Sequence, residues 1–245
     1  MALLYLLEGA FPLISWPGSR IRHDGRNLLV GLLNALPLAL GLGALTPAVA
    51  LAVELAGWGP LHLVTWPTWT EAILALVVLD AWMYGWHVAN HKLPLLWRFH
   101  RMHHSDNRID ASSAVRFHTG EVVLSVLLRL GVIALAGIRV EWVLLYELIL
   151  LPVILLHHAN LELPRPIETV ARWLFVTPDI HHVHHSRRPE ETDSNYGSVF
   201  PWWDRIFRTF RAQTPDNLEY GLDGWDDPER QSLWGLLTTP FRRRG

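Results

Sequence analysis

The sequence predicts an all-α, integral-membrane helical bundle of about four crossings, topped by a cytoplasmic helical cap that carries clustered histidines. Three observations predict it. Half of the 245 residues are hydrophobic, only 18% are charged, and mean hydropathy is +0.18. Several apolar runs are long enough to span a bilayer. The basic residues between those runs fall on one side. A soluble all-helical core is the competing reading, since buried helices are also apolar all round; the charge asymmetry of the loops disfavours it.

The elements follow in order. The opening MALLYLLEGAFPLISWPG is apolar but contains Glu8 and has no basic start. It reads as an interfacial segment rather than a cleaved signal. A basic stretch with Arg20, Arg22 and Arg26 comes next. From Leu28 to Trp58 the chain crosses at least once and is expected to break near Thr46-Pro47. Residues 59–68 carry no Asp, Glu, Lys or Arg and hold Trp66, which marks an interfacial turn. A second crossing starts near Trp69 and ends at Lys92. A third covers roughly Glu121 to Ile138, and a fourth covers roughly Glu141 to His158, after a tight turn near Arg139. Beyond Asn160 no long apolar run remains.

Arg20–Arg26, the loop from Lys92 to Arg116 and the Arg-rich tail all lie on one side of these crossings. The positive-inside rule makes that side cytoplasmic and puts both termini there. A multi-pass protein of a bacterial inner membrane is the expected setting. The chain then reads as one membrane domain, 1–245. Its parts are an N-terminal interfacial segment (1–27), transmembrane helices with a cytoplasmic loop at 92–118 (28–158), and a cap and tail (159–245). The tail from Thr214 is acidic and turn-rich and reads as surface, ending in Arg242, Arg243 and Arg244. The net charge of -2 argues against a nucleic-acid partner. With no Cys, disulfides, zinc fingers and thiol catalysis are excluded.

Of 14 histidines, ten fall into four tight groups. His87 and His91 are spaced i,i+4 at the end of the second crossing, on one helical face. His100, His103 and His104 form H-x-x-H-H, again one face. His157 and His158 end the fourth crossing. His181, His184 and His185 repeat H-x-x-H-H, with His182 between them. All four groups sit at cytoplasmic helix ends or just beyond. Isolated His23 and His62 read as ordinary polar residues. Clustered buried imidazoles without a cation would leave many nitrogens unpaired. About nine ligands exceed the needs of one ion, since zinc takes four. Two ions, each with four or five nitrogens, fit the count. Imidazole suits Zn, Cu, Fe and Ni alike.

The pattern resembles the fatty acid hydroxylase/sterol desaturase superfamily of integral-membrane di-iron oxygenases. DAWMYGWHVANHKLPLLWRFHRMHHS looks like its first two histidine boxes. VRFHTGE is similar to its R-x-H-P-x-E element, HHAN to its H-x-N site and TPDIHHVHHS to its third box. NYGSVFPWWDRIFRTF resembles its N-Y-G … W-D-R-x-F-G-T ending. Two departures are Thr119, where the family usually has Pro, and Arg208, where it usually has Gly. The resemblance implies two Fe ions held by His87, His91, His100, His103, His104, His158, His181, His184 and His185. It also implies O2 as co-substrate, a membrane lipid substrate, and hydroxylation or desaturation of its C–H bonds. The di-metal centre itself would be the catalyst, and zinc is an alternative occupant of purified samples. With no haem-binding or flavin-type glycine motif, electrons must come from a separate ferredoxin-, cytochrome- or flavoprotein-type donor.

His157, His118 and His182 are alternates, either ligating or bracing a ligand; for His118, bracing or helix capping with Glu121 is favoured. Asp80, two turns before His87, together with Asn160, Asp179 and Asn195, are candidates to accept the ligands' second N–H. Glu147 lies deep in the fourth crossing and needs a partner. Asp204-Arg205 reads as an ion pair, and Trp202 and Trp203 as interfacial. Competing readings are a multihaem electron-transfer protein, a metal transporter and a di-zinc hydrolase. Crowded neighbouring ligands disfavour haem, and ligands at one face rather than the midplane disfavour transport. Spacing alone does not exclude zinc. Oligomeric state and substrate identity are not legible.

Overall fold

In a computed structural model, residues 1–16, 18–212 and 218–242 are described. The architecture is all-helical. Among the described residues, four helical segments are long and apolar enough to cross a membrane: Ile21–Ala56, Thr68–Lys92, Thr119–Ala136 and Val140–His158. The chain opens with α1 (Ala2–Ala10). The first long segment comprises α2 (Ile21–Pro37) and α3 (Gly43–Ala56). Next come α4 (Thr68–Lys92), α5 (Pro94–His104), α6 (Thr119–Ala136) and α7 (Val140–His158). Short helices complete the chain: α8 (Arg165–Leu174), α9 (Pro178–His184), α10 (Pro189–Thr192), α11 (Trp202–Ile206) and α12 (Leu233–Leu237). Leucines on the long helices face outward, such as Leu40, Leu55, Leu135 and Leu148, where a bilayer would cover them.

The break in the first segment is not at Thr46-Pro47, which lies inside α3. It falls at Leu38–Leu42, just after Pro37, where the backbone widens into a π-type turn. Gly41 is the hinge, with φ 124, a conformation open to glycine and not to the neighbouring leucines. At the far end of the bundle the two turns between crossings touch. A Cβ on Gly59 would meet Gly137 Cα at 2.6 Å, so only glycine lets these backbones approach. Arg139 there pairs with buried Glu71 at 3.0 Å.

The C-terminal ends of α4 and α7 and the N-terminal ends of α2 and α6 meet at the other end. Here α5 and α8–α12 build the cap. The interfacial segment is stapled to it through Glu8, which accepts from the N–H groups of Ala111 and Asn160 and pairs with Arg20 at 2.9 Å. A buried polar network ties α2 to the α5–α6 loop. Asp106 accepts from His23 Nε2 at 2.8 Å and Ser113 Oγ at 2.8 Å, and lies 3.8 Å from Arg116. Burial raises the Asp106 carboxyl, but Arg116 and His23 outweigh it and hold it well below the usual carboxylate range.

The segment after 217 is not a loose surface tail. Leu218, Tyr220, Trp225 and Leu236 are buried. Gln231 donates to Ser105 O and accepts from Arg116. Arg101 reaches the carbonyls of Thr239 and Arg242. The sequence reading missed this because the apolar contacts are single residues set in polar surroundings. Arg243 and Arg244 lie outside the described residues.

The loop from Asn195 to Trp203 is pinned to α4 by one carboxylate. Asp80 is fully buried. It accepts from Tyr146 Oη (2.8 Å), Val199 N (3.2 Å), Phe200 N (3.2 Å) and Trp203 Nε1 (2.9 Å). Trp203 is therefore an inward anchor, whereas Trp202 is 41% exposed. Asp204 and Arg205 do not pair with each other. Asp204 accepts from the N–H groups of Tyr196 and Gly197 and from Thr209 Oγ1, while Arg205 stacks over Trp173 and Phe210. Arg208 has φ 60, which is why a glycine suits that position. Asp80→Ala would strand two buried donors, Tyr146 Oη and Val199 N, at about 1–3 kcal/mol each, and two part-buried ones, Phe200 N and Trp203 Nε1, at less. Its expected outcome is a large fall in thermal unfolding midpoint, measured on purified protein in detergent.

Candidate metal centre

The local sequence delivers imidazoles to one point from four helices. His87 and His91 share a face at the end of α4, and α5 returns across it carrying His100, His103 and His104. The end of α7 supplies His157 and His158, and α9 supplies His181, His184 and His185. Nine histidines assemble as two adjacent groups. His87, His91, His100, His104 and His184 form one; His103, His158, His181 and His185 form the other. Within each group, one nitrogen from every member lies within 4.8 Å of the rest. The groups abut: His104 stacks on His185 at 4.7 Å between ring centroids.

Hydrogen bonding orients the first group. Nδ1 of His87 lies 2.8 Å from Tyr196 O, Nδ1 of His184 lies 2.7 Å from Ser194 O, and Nδ1 of His100 lies 2.8 Å from Glu121 Oε1. Nδ1 of His91 sits 3.5 Å from Asp193. The two carbonyls and the Glu121 carboxylate accept, so Nδ1 of His87, His184 and His100 carries the proton and their Nε2 keeps a lone pair. Nε2 of His87, His91, His100, His104 and His184 is buried with no hydrogen-bond partner among the described residues. In the second group, His158 Nδ1 donates to Ile154 O, leaving Nε2 an acceptor. That Nε2 is 3.2 Å from His103 Nε2 and 3.1 Å from His181 Nε2, which is 3.1 Å from His185 Nε2. Neutral imidazoles cannot satisfy this arrangement by hydrogen bonds, because each has one N–H. A cation among the Nε2 atoms does satisfy it, and nitrogens about 2.0–2.1 Å from a metal stand near these separations. Burial, then neighbouring imidazoles, lowers the pKa of His103, His104, His181 and His185 well below the ordinary histidine value. Neutral imidazole is the ligating form.

The alternates separate from these groups. His118 caps α6: its Nδ1 accepts from Gly120 N at 3.0 Å and its Nε2 donates to Leu237 O at 3.1 Å. Neither nitrogen is left for a metal. Thr119 takes the first helical position, where proline also fits. His182 is likewise committed, with Nε2 donating to Ala159 O and Nδ1 accepting from Tyr220 Oη. His157 lies tilted against His181, ring centroids 3.9 Å apart, outside both groups, and its Nδ1 has no partner among the described residues.

Three expected bracing residues act elsewhere. Asp80 bonds the loop, not an imidazole. Asn160 grips Ile14 through both its N–H and its carbonyl. Asn195, at φ 53, bonds Ile180 O and both backbone groups of Arg211 with its side chain. Its chain neighbours Ser194 and Tyr196 supply the carbonyls that meet His184 and His87. Asp179 lies 3.5 Å from Arg165. Sequence reasoning missed these carbonyls, which have no side-chain signature. It also missed Asp193, and it cast Glu121 as a capping partner of His118 rather than the acceptor for His100.

A cavity of about 200 Å³ opens beside the histidines between α4, α6 and α7. His87, His100, His103, His157, His158 and His181 form one end, and Met83, Trp86, Val122, Val126 and Ile154 contribute apolar wall.

The family model described as Fatty acid hydroxylase matches residues 72–209, more than half of the chain and all nine clustered histidines. The chain belongs to this family, and with its four apolar helices it is a membrane protein. Ornithine lipid hydroxylase OlsE of Rhizobium tropici is 29% identical over 182 residues, covering 74% of this chain and 53% of that protein. Alkylglycerol monooxygenase of Danio rerio is 28% identical over 229 residues, covering 89% and 48%. Its Caenorhabditis elegans counterpart is 30% identical over 208 residues, covering 78% and 38%. The chain thus spans about half the length of the curated relatives it matches. No solved structure matches.

The hydrogen-bond pattern predicts distinct mutant classes. His103→Ala and His184→Ala should each lower bound metal measured by inductively coupled plasma mass spectrometry. His182→Ala should leave metal stoichiometry unchanged while lowering thermal stability. Glu121→Gln should weaken metal affinity by roughly 10–100-fold.

Proposed function

We propose that this protein is a di-iron, O2-dependent hydroxylase of a membrane lipid, with His87, His91, His100, His104 and His184 holding one ion and His103, His158, His181 and His185 the other. The observation that carries the reading is the convergence of buried Nε2 atoms beside an apolar-walled cavity: five without hydrogen-bond partners in one group, and four packed 3.1–3.2 Å apart in the other. Iron rather than zinc is supported by the family, whose relatives are named as hydroxylases and monooxygenases. Hydroxylation rather than desaturation is supported by the same names. The relatives' substrates suggest a polar-headgroup or ether lipid.

When bound, the irons supply O2 activation and oxygen insertion into a C–H bond, with the second oxygen atom leaving as water. The chain's own residues do the rest. Met83, Trp86, Val122, Val126 and Ile154 hold a hydrocarbon segment against the histidine end and exclude water. Glu121 accepts a hydrogen bond from His100 Nδ1, and the Tyr196 and Ser194 carbonyls fix His87 and His184, keeping the Nε2 lone pairs of these three rings inward. Electrons come from a separate carrier protein. The termini and the histidine end face the cytoplasm of a bacterial inner membrane, as the basic loops argue. A multihaem reading is disfavoured because nitrogens within 4.8 Å of one another leave no room for a porphyrin.

Lipid mass spectrometry of cells with and without the protein should reveal a species heavier by one oxygen atom. That species should vanish with His103→Ala. A species lighter by two hydrogens would instead indicate desaturation, and a strong Soret band in purified protein would overturn the di-iron assignment.

A further inference from the structure

The cavity has polar groups at two levels. The imidazoles, Glu121 and Asn90 line it at the level where α6 begins; Arg129 lines it two turns further along α6, with Ser125 between. Arg129 stands eight residues after Glu121 on α6, about 12 Å along the helix. It lies about 15 Å from the start of α6 at Thr119, half the thickness of a hydrocarbon core. An ionisable side chain at that depth needs a partner and marks a functional position. The partner is Glu147 of α7, whose Oε1 lies 2.5 Å from Arg129 Nη1. This answers the question that Glu147 poses in the sequence.

The pair is asymmetric. The Arg129 side chain is 14% exposed and Glu147 42%, and Arg129 is the member of the pair that lines the cavity. Pairing neutralises the charge, which makes a guanidinium tolerable here. It does not exhaust the donors, because a guanidinium has five N–H groups in a fork. Arg129 Nε is buried with no hydrogen-bond partner among the described residues. A ligand oxygen entering the cavity can take these donors without displacing Glu147. A free carboxylate would compete with Glu147 for the same fork, and a bare hydrocarbon would leave the donors unsatisfied.

Building on the lipid-oxidising reading above, we propose that Arg129, held by Glu147, is a specificity-determining site for an uncharged oxygen on the substrate chain. A hydroxyl, ester or ether about 12 Å from the histidine end would dock there. The site then sets how far the chain slides in, and hence which carbon meets the histidines.

The test is binding to the full-length, metal-loaded protein in detergent, read by native mass spectrometry. The probes are octadecanol and an octadecanol bearing a second hydroxyl at mid-chain. The wild type should prefer the diol by about tenfold, as expected for one hydrogen bond to a charged group. Arg129→Met/Glu147→Gln, which removes both charges together, should bind the two alcohols equally. If that variant does not fold, Arg129→Lys, which keeps the charge but loses the fork, should show a reduced preference. Equal binding by the wild type, or a preference that survives in the folded variant, overturns the proposal while leaving the lipid reading intact. Binding of neither alcohol to the wild type overturns both.

Discussion

Everything at the cap end depends on keeping one nitrogen of each clustered imidazole free and aimed inward. A buried polar atom without a partner is costly, and this protein concentrates many of them in one place. The rest of the structure meets that constraint from behind. Carbonyls of Tyr196, Ser194 and Ile154 and the carboxylate of Glu121 take the opposite nitrogens of His87, His184, His158 and His100 and fix those four rings. Asp80 and Asp204 in turn fix the loop that carries the Tyr196 carbonyl and follows directly on Ser194. The order of dependence runs from α4 through Asp80 to the loop, and from the loop to the histidines.

This hierarchy explains why side chains expected to touch histidines do not. Asp80 lies on the face of α4 that bears His87, as its spacing implies, but it acts one step removed, through the loop at 196–203. Asn195 is similarly displaced. Its left-handed backbone turns the two flanking carbonyls toward the imidazoles while its side chain holds Ile180 and Arg211. Backbone acceptors are invisible in a sequence, because every residue has one. The spans and histidine groups were legible because hydropathy and i,i+3/i+4 spacing are properties of side chains in order along a helix. The stretch holds two prolines, Pro37 and Pro47, and the break follows the first, where Gly41 supplies a positive φ that leaves no mark in the sequence. The folding-back of 218–242 was missed because Tyr220, Trp225 and Leu236 are isolated apolar residues with no period.

Polar residues in the spans follow a related logic. His103 and Arg129 both line the cavity, together with its apolar wall. Glu71 with Arg139 and Glu147 with Arg129 neutralise charge at two depths. Only Arg129 of these four lines the cavity, so the same kind of pair serves as a tie in one place and faces ligand space in another.

The docking of residues 218–242 on the cap bears on how the protein comes to be made. Arg101 and Arg116 reach across to Thr239 and Gln231, and His182 meets Tyr220. All nine clustered histidines precede this segment in the chain, so during synthesis they emerge before their outer cover exists. The cap therefore passes through an interval during synthesis in which the elements that carry its imidazoles lack the contacts residues 218–242 provide.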